Sequence, residues 1–207
     1  MMADTSSPYG LRPVKRVDGL PWTNSIETFL IDPAGLSGNL YNGQVVKIGA
    51  DGYIDLVEKT GADATTHSFP AGTIGVFVGC EYENSEGRVV HSQYYPSGAI
   101  NAKAKIISDP NVIFRAQTDG AIDQTFVGSN TQFAAVQSHT ADTGGSTFTG
   151  NSLSKVSRNG GTAKTTTAAF RIIGVVDEIK NDISDAYVDI LVKFNPGYHS
   201  YTNAVGI

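Results

Sequence analysis

The sequence predicts a mainly β protein: a single β-barrel- or β-sandwich-like domain with an extended N-terminal arm and at most one short helix. Three observations predict it. From about residue 26 onward the chain breaks into seven to nine short β-type runs separated by turn signals. Only one stretch leans helical. The last run, Tyr187 to Phe194, alternates Val188, Ile190, Val192 and Phe194 before stopping at Pro196-Gly197, the period-two pattern of a strand with one buried face.

Taken in order, residues 1–22 hold Pro8, Pro13 and Pro21. Proline fixes its own φ, lacks an N–H and pushes its predecessor toward extended conformations. An extended arm is therefore expected, carrying Tyr9, Leu11, Val14 and Trp22, with the β-rich domain spanning 23–207. Deleting the arm is expected to leave that domain folded. Asn42-Gly43 precedes the run Gln44–Ile48, and Asp51-Gly52 marks a tight turn into Tyr53–Val57, a hairpin signal. Thr73–Val78 is a nearly continuous apolar run, as expected of a strand covered on both faces. Asn84–Gly87 reads as a turn before Arg88–His91. Lys103–Ile107 alternates, Asp109-Pro110-Asn111 breaks the run, and Val112–Gln117 resumes it.

The one helical candidate starts at Asp123, a residue able to cap free amides, with Phe126, Val127, Phe133 and Val136 as its apolar positions; Gly128 and Ser129-Asn130 weaken it. Residues 138–167 are rich in Ser, Thr, Gly and Asn and read as a long excursion, of a length that in compact domains is usually functional or disordered. Two runs resemble each other, Thr73-Ile74-Gly75-Val76-Phe77-Val78 and Ile172-Ile173-Gly174-Val175-Val176. A glycine inside such a run marks a bulge, a bend or a close backbone approach, or else a cradle for a ligand.

Composition excludes several classes. Charged residues make up 17% of the 207 residues and the net charge is −5, against about 25% charged in an average domain. Disorder driven by charge repulsion and coiled coils are both excluded. An acidic balance without a basic run argues against nucleic acid, whose affinity rests on Lys and Arg at phosphates. The single cysteine, Cys80, cannot form an intrachain disulfide and reads as a small buried hydrophobe. There is no 18-residue apolar run, so no membrane partner is expected, and MMADTSSPYG lacks the apolar core of a signal peptide. Synthesis in the cytoplasm without export is the expectation.

Chemistry-bearing residues do not assemble into a motif. His67, His91, His139 and His199 are widely spaced, with no helical i, i+4 pair and no second cysteine, so no metal or cofactor is expected. Asp51 and Asp55 straddle a turn but lack the calcium-loop pattern. Glu81, Glu83 and Glu86 beside Tyr82 fit an acid/base pair, a cation-binding rim or a solvated turn. Tyr94-Tyr95-Pro96 with Tyr198 and Tyr201 fit a sugar-stacking platform or anchors of a protein contact. The chain does not read as an enzyme.

A resemblance adds to this. The string Ser7-Pro8-Tyr9-Gly10-Leu11-Arg12-Pro13-Val14, the Asp18-Gly19 turn, and Ile74-Gly75-Val76-Phe77-Val78-Gly79-Cys80-Glu81-Tyr82 resemble head decoration (cement) proteins of tailed bacteriophages. So do Tyr94-Tyr95-Pro96, Asp109-Pro110-Asn111-Val112-Ile113-Phe114 and Ile172-Ile173-Gly174-Val175-Val176-Asp177. The segments occur in order over most of the chain, most weakly between about 138 and 167. The resemblance implies a virion component on the capsid exterior, made in the host cytoplasm, with the major capsid protein as partner. It carries over no catalytic residues. A homo-oligomer is expected, a trimer in preference to a dimer. Within the arm, Tyr9, Leu11, Arg12 and Trp22 are the expected partner contacts; packing on their own domain is the alternative. Two further readings are another virion part, such as a head fibre or tail component, and a glycan-binding adsorption module using the tyrosines.

Overall fold

A computed structural model describes residues 6–57, 72–134, 137–158, 168–179 and 181–204. In chain order the strands are β1 (Arg12–Arg16), β2 (Ile26–Leu30), β3 (Leu40–Tyr41), β4 (Val45–Ile48), β5 (Ile54–Leu56), β6 (Thr73–Glu83) and β7 (Val89–Ser92). They continue with β8 (Tyr94–Tyr95), β9 (Ile100–Ile107), β10 (Val112–Gln117), β11 (Asn130–Thr131), β12 (Phe170–Val175) and β13 (Asp189–Phe194). One sheet runs β1-β10-β13-β12-β11, a second runs β2-β9-β6-β4-β5 with β7 added to β6, and β3-β8 form a short ribbon. All ladders between these strands are antiparallel. The mainly β, sandwich-like domain predicted from the sequence is the fold observed.

The second sheet is a middle layer. Its Val45, Val76 and Ile107 face the first sheet and join Phe114, Phe170, Val192 and Phe194 in one core. Its Val46, Ile74, Phe77 and Ile106 face the other way and pack with Leu40 and Tyr95 of the ribbon in a second core. Burial on both faces is why Thr73–Val78 is apolar almost throughout. Val188, just before β13, and Ile190, Val192 and Phe194 within it point inward to the first core, as their alternation requires.

The turn chemistry also matches its residues. Ile48 pairs with Ile54 across the Asp51-Gly52 turn, where Gly52 has φ +82° and its N–H donates to the Gly49 carbonyl at 2.9 Å. Asn84 Oδ1 accepts from the N–H groups of Glu86 and Arg88, closing the β6–β7 turn.

The two look-alike runs both carry register shifts, but for different steric reasons. At Gly75 (φ +153°) an added Cβ would lie only 2.0 Å from the Ile107 carbonyl oxygen, so the middle sheet admits nothing larger there. At Gly174 the ladder also shifts, yet no atom stands within 4 Å of an added Cβ. The first glycine serves close approach of two backbones; the second only accompanies a bulge.

Two expectations change in detail. The helix expected from Asp123 is a single 3₁₀ turn, Gln124–Phe126: Asp123 does cap it, accepting from Thr125 N–H at 2.9 Å, but Gly128 at φ +85° diverts the chain into β11. Val136 lies outside the described residues. Two other 3₁₀ turns, Trp22–Ser25 and Ser200–Thr202, complete the helical structure among the described residues. The excursion from 138 is tied down through residue 158. Gln137 acts as a surrogate strand, its amide accepting from Val45 N–H and donating to Val45 carbonyl, while Gln44 donates to Ser138 carbonyl. Residues 159–167 lie outside the described set.

Candidate functional site

The arm is extended, and its residues 7–16 are docked rather than free. Strand β1 forms an edge of the first sheet, pairing Arg12 with Arg115 and Arg16 with Val112 across a bulge between Pro13 and Lys15. The docking begins at a crossing of two glycines. Leu11 N–H donates to Gly43 carbonyl at 2.9 Å, and a Cβ on Gly10 (φ +72°) would stand 2.6 Å from that oxygen. A Cβ on Gly43 (φ +92°) would in turn stand 2.8 Å from the Tyr9 carbonyl oxygen. Beyond the crossing, Leu11 is 0% exposed in the first core.

Tyr9 and Arg12 lie on a polar clamp over the outside of the sheet. Tyr9 hydroxyl donates to Asp189 Oδ1 at 2.8 Å and accepts from Arg115 Nε at 3.1 Å. Arg115 also donates to Asp189 Oδ2 from Nε and Nη2, at 3.0 and 2.6 Å, and binds Glu178 with both terminal nitrogens at 2.6 and 2.8 Å. Burial, then the Asp189 charge and hydrogen bond, push the Tyr9 hydroxyl above its ordinary range, with Arg115 opposing. It therefore stays a donor. Hydrogen bonding to Arg115 holds the Glu178 carboxyl below the usual range. The Arg12 guanidinium sits 4.8 Å over the Tyr9 ring, a cation–π contact at the surface. Chemically this is a fastening.

Of the four predicted contact residues, then, Leu11 is consumed by the core and Tyr9 by the clamp. Trp22 is half-buried against the first core at the start of its 3₁₀ turn. Arg12 remains exposed. The arm's free apolar surface is carried by residues not singled out for contact: Val14, Val17 and Leu20 are all exposed. Pro13, the bulge and the charges of Lys15 and Arg16 are the devices that protect an edge strand from pairing, so side chains rather than strand addition are what this edge offers a partner.

The remaining candidates resolve individually. Glu81 pairs with Lys103 at 3.0 Å and lies 3.7 Å from His91 across the β6–β7 and β6–β9 ladders, and the Lys103 hydrogen bond and charge lower its pKa. Glu83 accepts from Asn101 Nδ2, and Glu86 pairs with exposed Arg88. These are surface pairs of small individual weight. Among the described residues no three His, Cys, Asp or Glu side chains gather as a metal site; His67 lies outside them. His139 lies between the Asn39 and Val57 carbonyl oxygens, 3.1 Å from Nδ1 and 3.3 Å from Nε2, and its ring N–H donates there, fastening the excursion. His199 is buried and accepts from Tyr201 N–H; burial lowers its pKa to about 4, against a smaller opposing effect of the Ile74 backbone. Cys80 is buried beside the Tyr94 carbonyl, and burial pushes its thiol up to about 12, far from the thiolate character a reactive cysteine needs.

The tyrosines do not form one platform. Tyr95 is fully buried, its hydroxyl donating to Ala99 carbonyl and accepting from Leu36 N–H, while Tyr94 stacks at 6.0 Å on buried Tyr41. Tyr198 packs on the first core, and Tyr201 is exposed with its hydroxyl on Glu27. No protein-family model, curated protein or solved structure matches this chain.

Proposed function

We propose that this protein is a structural virion component that binds the outer surface of a tailed-phage capsid and cements neighbouring major capsid subunits. In this reading it is a homo-oligomer, a trimer in preference to a dimer, without catalytic activity or cofactor. The ordered resemblance to decoration proteins motivates the reading. The observation that carries it is the docked arm, which buries Leu11 and fastens the half-buried Tyr9 while presenting Val14 on β1, and Val17 and Leu20 in the turn after it, to solvent.

A cement protein needs many contacts that are individually weak and held on a stiff frame. Stiffness reduces the ordering cost of each contact, and several feet on one oligomer raise the effective concentration of the next. A protein that binds only the assembled shell then stabilises it by mass action. The role of Tyr9 and Leu11 in this reading is to hold the ledge; Arg12 and the exposed valines and leucine make the contact.

The test adds purified protein to shells that lack it. Binding with a raised shell-disruption temperature is expected, and both should weaken in a Val14→Ser, Val17→Ser, Leu20→Ser variant. Neither binding nor a shift in disruption temperature would refute the reading.

A further inference from the structure

The outer face of the first sheet carries the charge opposite to that of the chain, whose net charge is −5. Facing residues of an antiparallel ladder share a face, and neighbours along a strand alternate between faces. Phe114, Val192 and Phe170 turn into the first core, so Arg115, Leu191 and Arg171 beside them turn outward. The registers extend that outer face. Arg12 lies opposite Arg115 and Lys15 opposite Ile113, Arg115 lies opposite Leu191, and Lys193 lies opposite Arg171. With strands about 4.8 Å apart, Lys15 on β1 and Arg171 on β12 are separated by about 14 Å, with Lys193 between them. Each cation thus has another within about a Debye length of 8–10 Å, and their fields overlap.

The chain does not neutralise these cations. Among the described residues, Arg12, Lys15, Arg171 and Lys193 pair with no carboxylate. Arg171 commits only its Nε, to Asn130 Oδ1 at 3.2 Å. The carboxylates that border the face are occupied, Asp189 and Glu178 by Arg115, Asp18 and Asp109 by Arg16. Asp177, Asp182 and Asp185 lie in the β12–β13 connection, at the opposite end of these strands from Arg171, Lys193 and Lys15. Like charges directly opposite each other cost stability. The Arg171–Lys193 pair is such a cost, and an anion placed over it relieves it.

Apolar surface is interleaved with the charge. Ile173, next to buried Ile172, is 39% exposed, and Leu191 is half-buried. Four cations neutralise at most about four phosphates, a small number for nucleic acid, and a phosphate backbone offers Ile173 nothing to pack on. A protein surface with carboxylates set among apolar side chains complements both features.

We propose that the outer face of the first sheet is a docking site for the acidic surface of a different protein, with Lys15, Arg171 and Lys193 receiving carboxylates and Ile173 the apolar contact. This deepens the reading above, which places that surface on the shell, and the first test below uses no shell, so the two fail separately.

The full-length protein is titrated with a fluorescent glutamate–tyrosine copolymer at low salt, with polyglutamate and duplex DNA in parallel. The wild type should bind the copolymer more tightly than polyglutamate, and added salt should weaken both. A Lys15→Gln, Arg171→Gln, Lys193→Gln variant should bind about tenfold more weakly, the loss expected of three exposed ion pairs of ordinary strength. Its melting temperature should not fall. Should it fold poorly, Lys193→Gln alone should weaken binding about two- to threefold. Lys103→Gln, Lys105→Gln, Lys155→Gln removes the same charge elsewhere and should leave affinity unchanged. Ile173→Ser should abolish the preference for the copolymer. No binding by the wild type, equal losses in the two triple variants, or preference for DNA with no effect of Ile173→Ser would each overturn the proposal. Self-association at low salt that the first triple variant abolishes would place the site on a second copy and overturn it as well. On shells, wild-type binding that survives in that variant would overturn this proposal alone. Absence of shell binding beside patch-dependent copolymer binding would refute only the shell reading.

Discussion

Replacing Leu11 with alanine tests whether the arm belongs to the core. Leu11 has no accessible surface and packs in the cluster that holds Phe114 and Val192, and its N–H is fixed on Gly43. Truncating a fully buried leucine removes its transfer free energy and leaves a partly collapsed cavity, together about 2–5 kcal/mol. In a chain of 207 residues each kcal/mol moves the melting temperature by about 2–4 °C, so a mid-range loss of about 3 kcal/mol lowers it by about 6–12 °C. Scanning calorimetry with urea unfolding reads both quantities. Val17→Ala, in the exposed part of the same segment, should stay within about 0.5 kcal/mol of wild type. Deleting residues 1–16 adds the loss of β1 and of the Tyr9 clamp. The combined cost then approaches the whole stability of about 5–15 kcal/mol typical of a domain, and the truncated chain should not fold cooperatively. Equal, small shifts for Leu11→Ala and Val17→Ala, or a cooperatively folded truncation, would refute the reasoning.

Three other outcomes follow from particular residues. His199 is a base whose folded pKa, about 4, lies below its ordinary 6.5, so the unfolded chain takes up a proton first as pH falls. Its contribution is complete above pH 6.5 and is lost toward pH 4; His199→Asn, which keeps an acceptor for Tyr201 N–H, should lose about 2–3 kcal/mol less than wild type between pH 7.5 and 4.5 in urea titrations. Gly75→Ala should cost at least about 2 kcal/mol because its Cβ meets the Ile107 carbonyl, whereas Gly174→Ala should change unfolding free energy by under about 0.5 kcal/mol. Cys80, with its thiol raised to about 12, should react with a disulfide reagent at pH 8 only as fast as the chain opens, and at once in denaturant.

What the sequence made legible was local. Asp51-Gly52, Asn84–Gly87 and the alternation of Val188 to Phe194 mark their turns and strand because φ preference and period-two burial act between near neighbours. The apolar run at Thr73 was readable as a strand covered on both faces for the same reason. The docking of the arm was not readable. Tyr9, Arg115 and Asp189 are 74 to 180 residues apart along the chain, and no spacing joins residues brought together by sheet order. Pro8 and Pro13 correctly imply extended backbone, but extension is equally compatible with a free arm and with an edge strand. The Gly10–Gly43 crossing decides between them, and its only trace is a pair of ordinary glycines. The fate of Tyr95 and Tyr201, one buried and one exposed, likewise depends on where the β3–β8 ribbon and the C-terminal turn land.

The most direct test of the account is the position of copies in a reconstruction of particles carrying this protein. Its density is expected across the capsid faces, with Val14 of β1 and Val17 and Leu20 of the following turn against the shell. Density confined to one vertex or to the tail, or a shell whose faces lack it, would contradict the account.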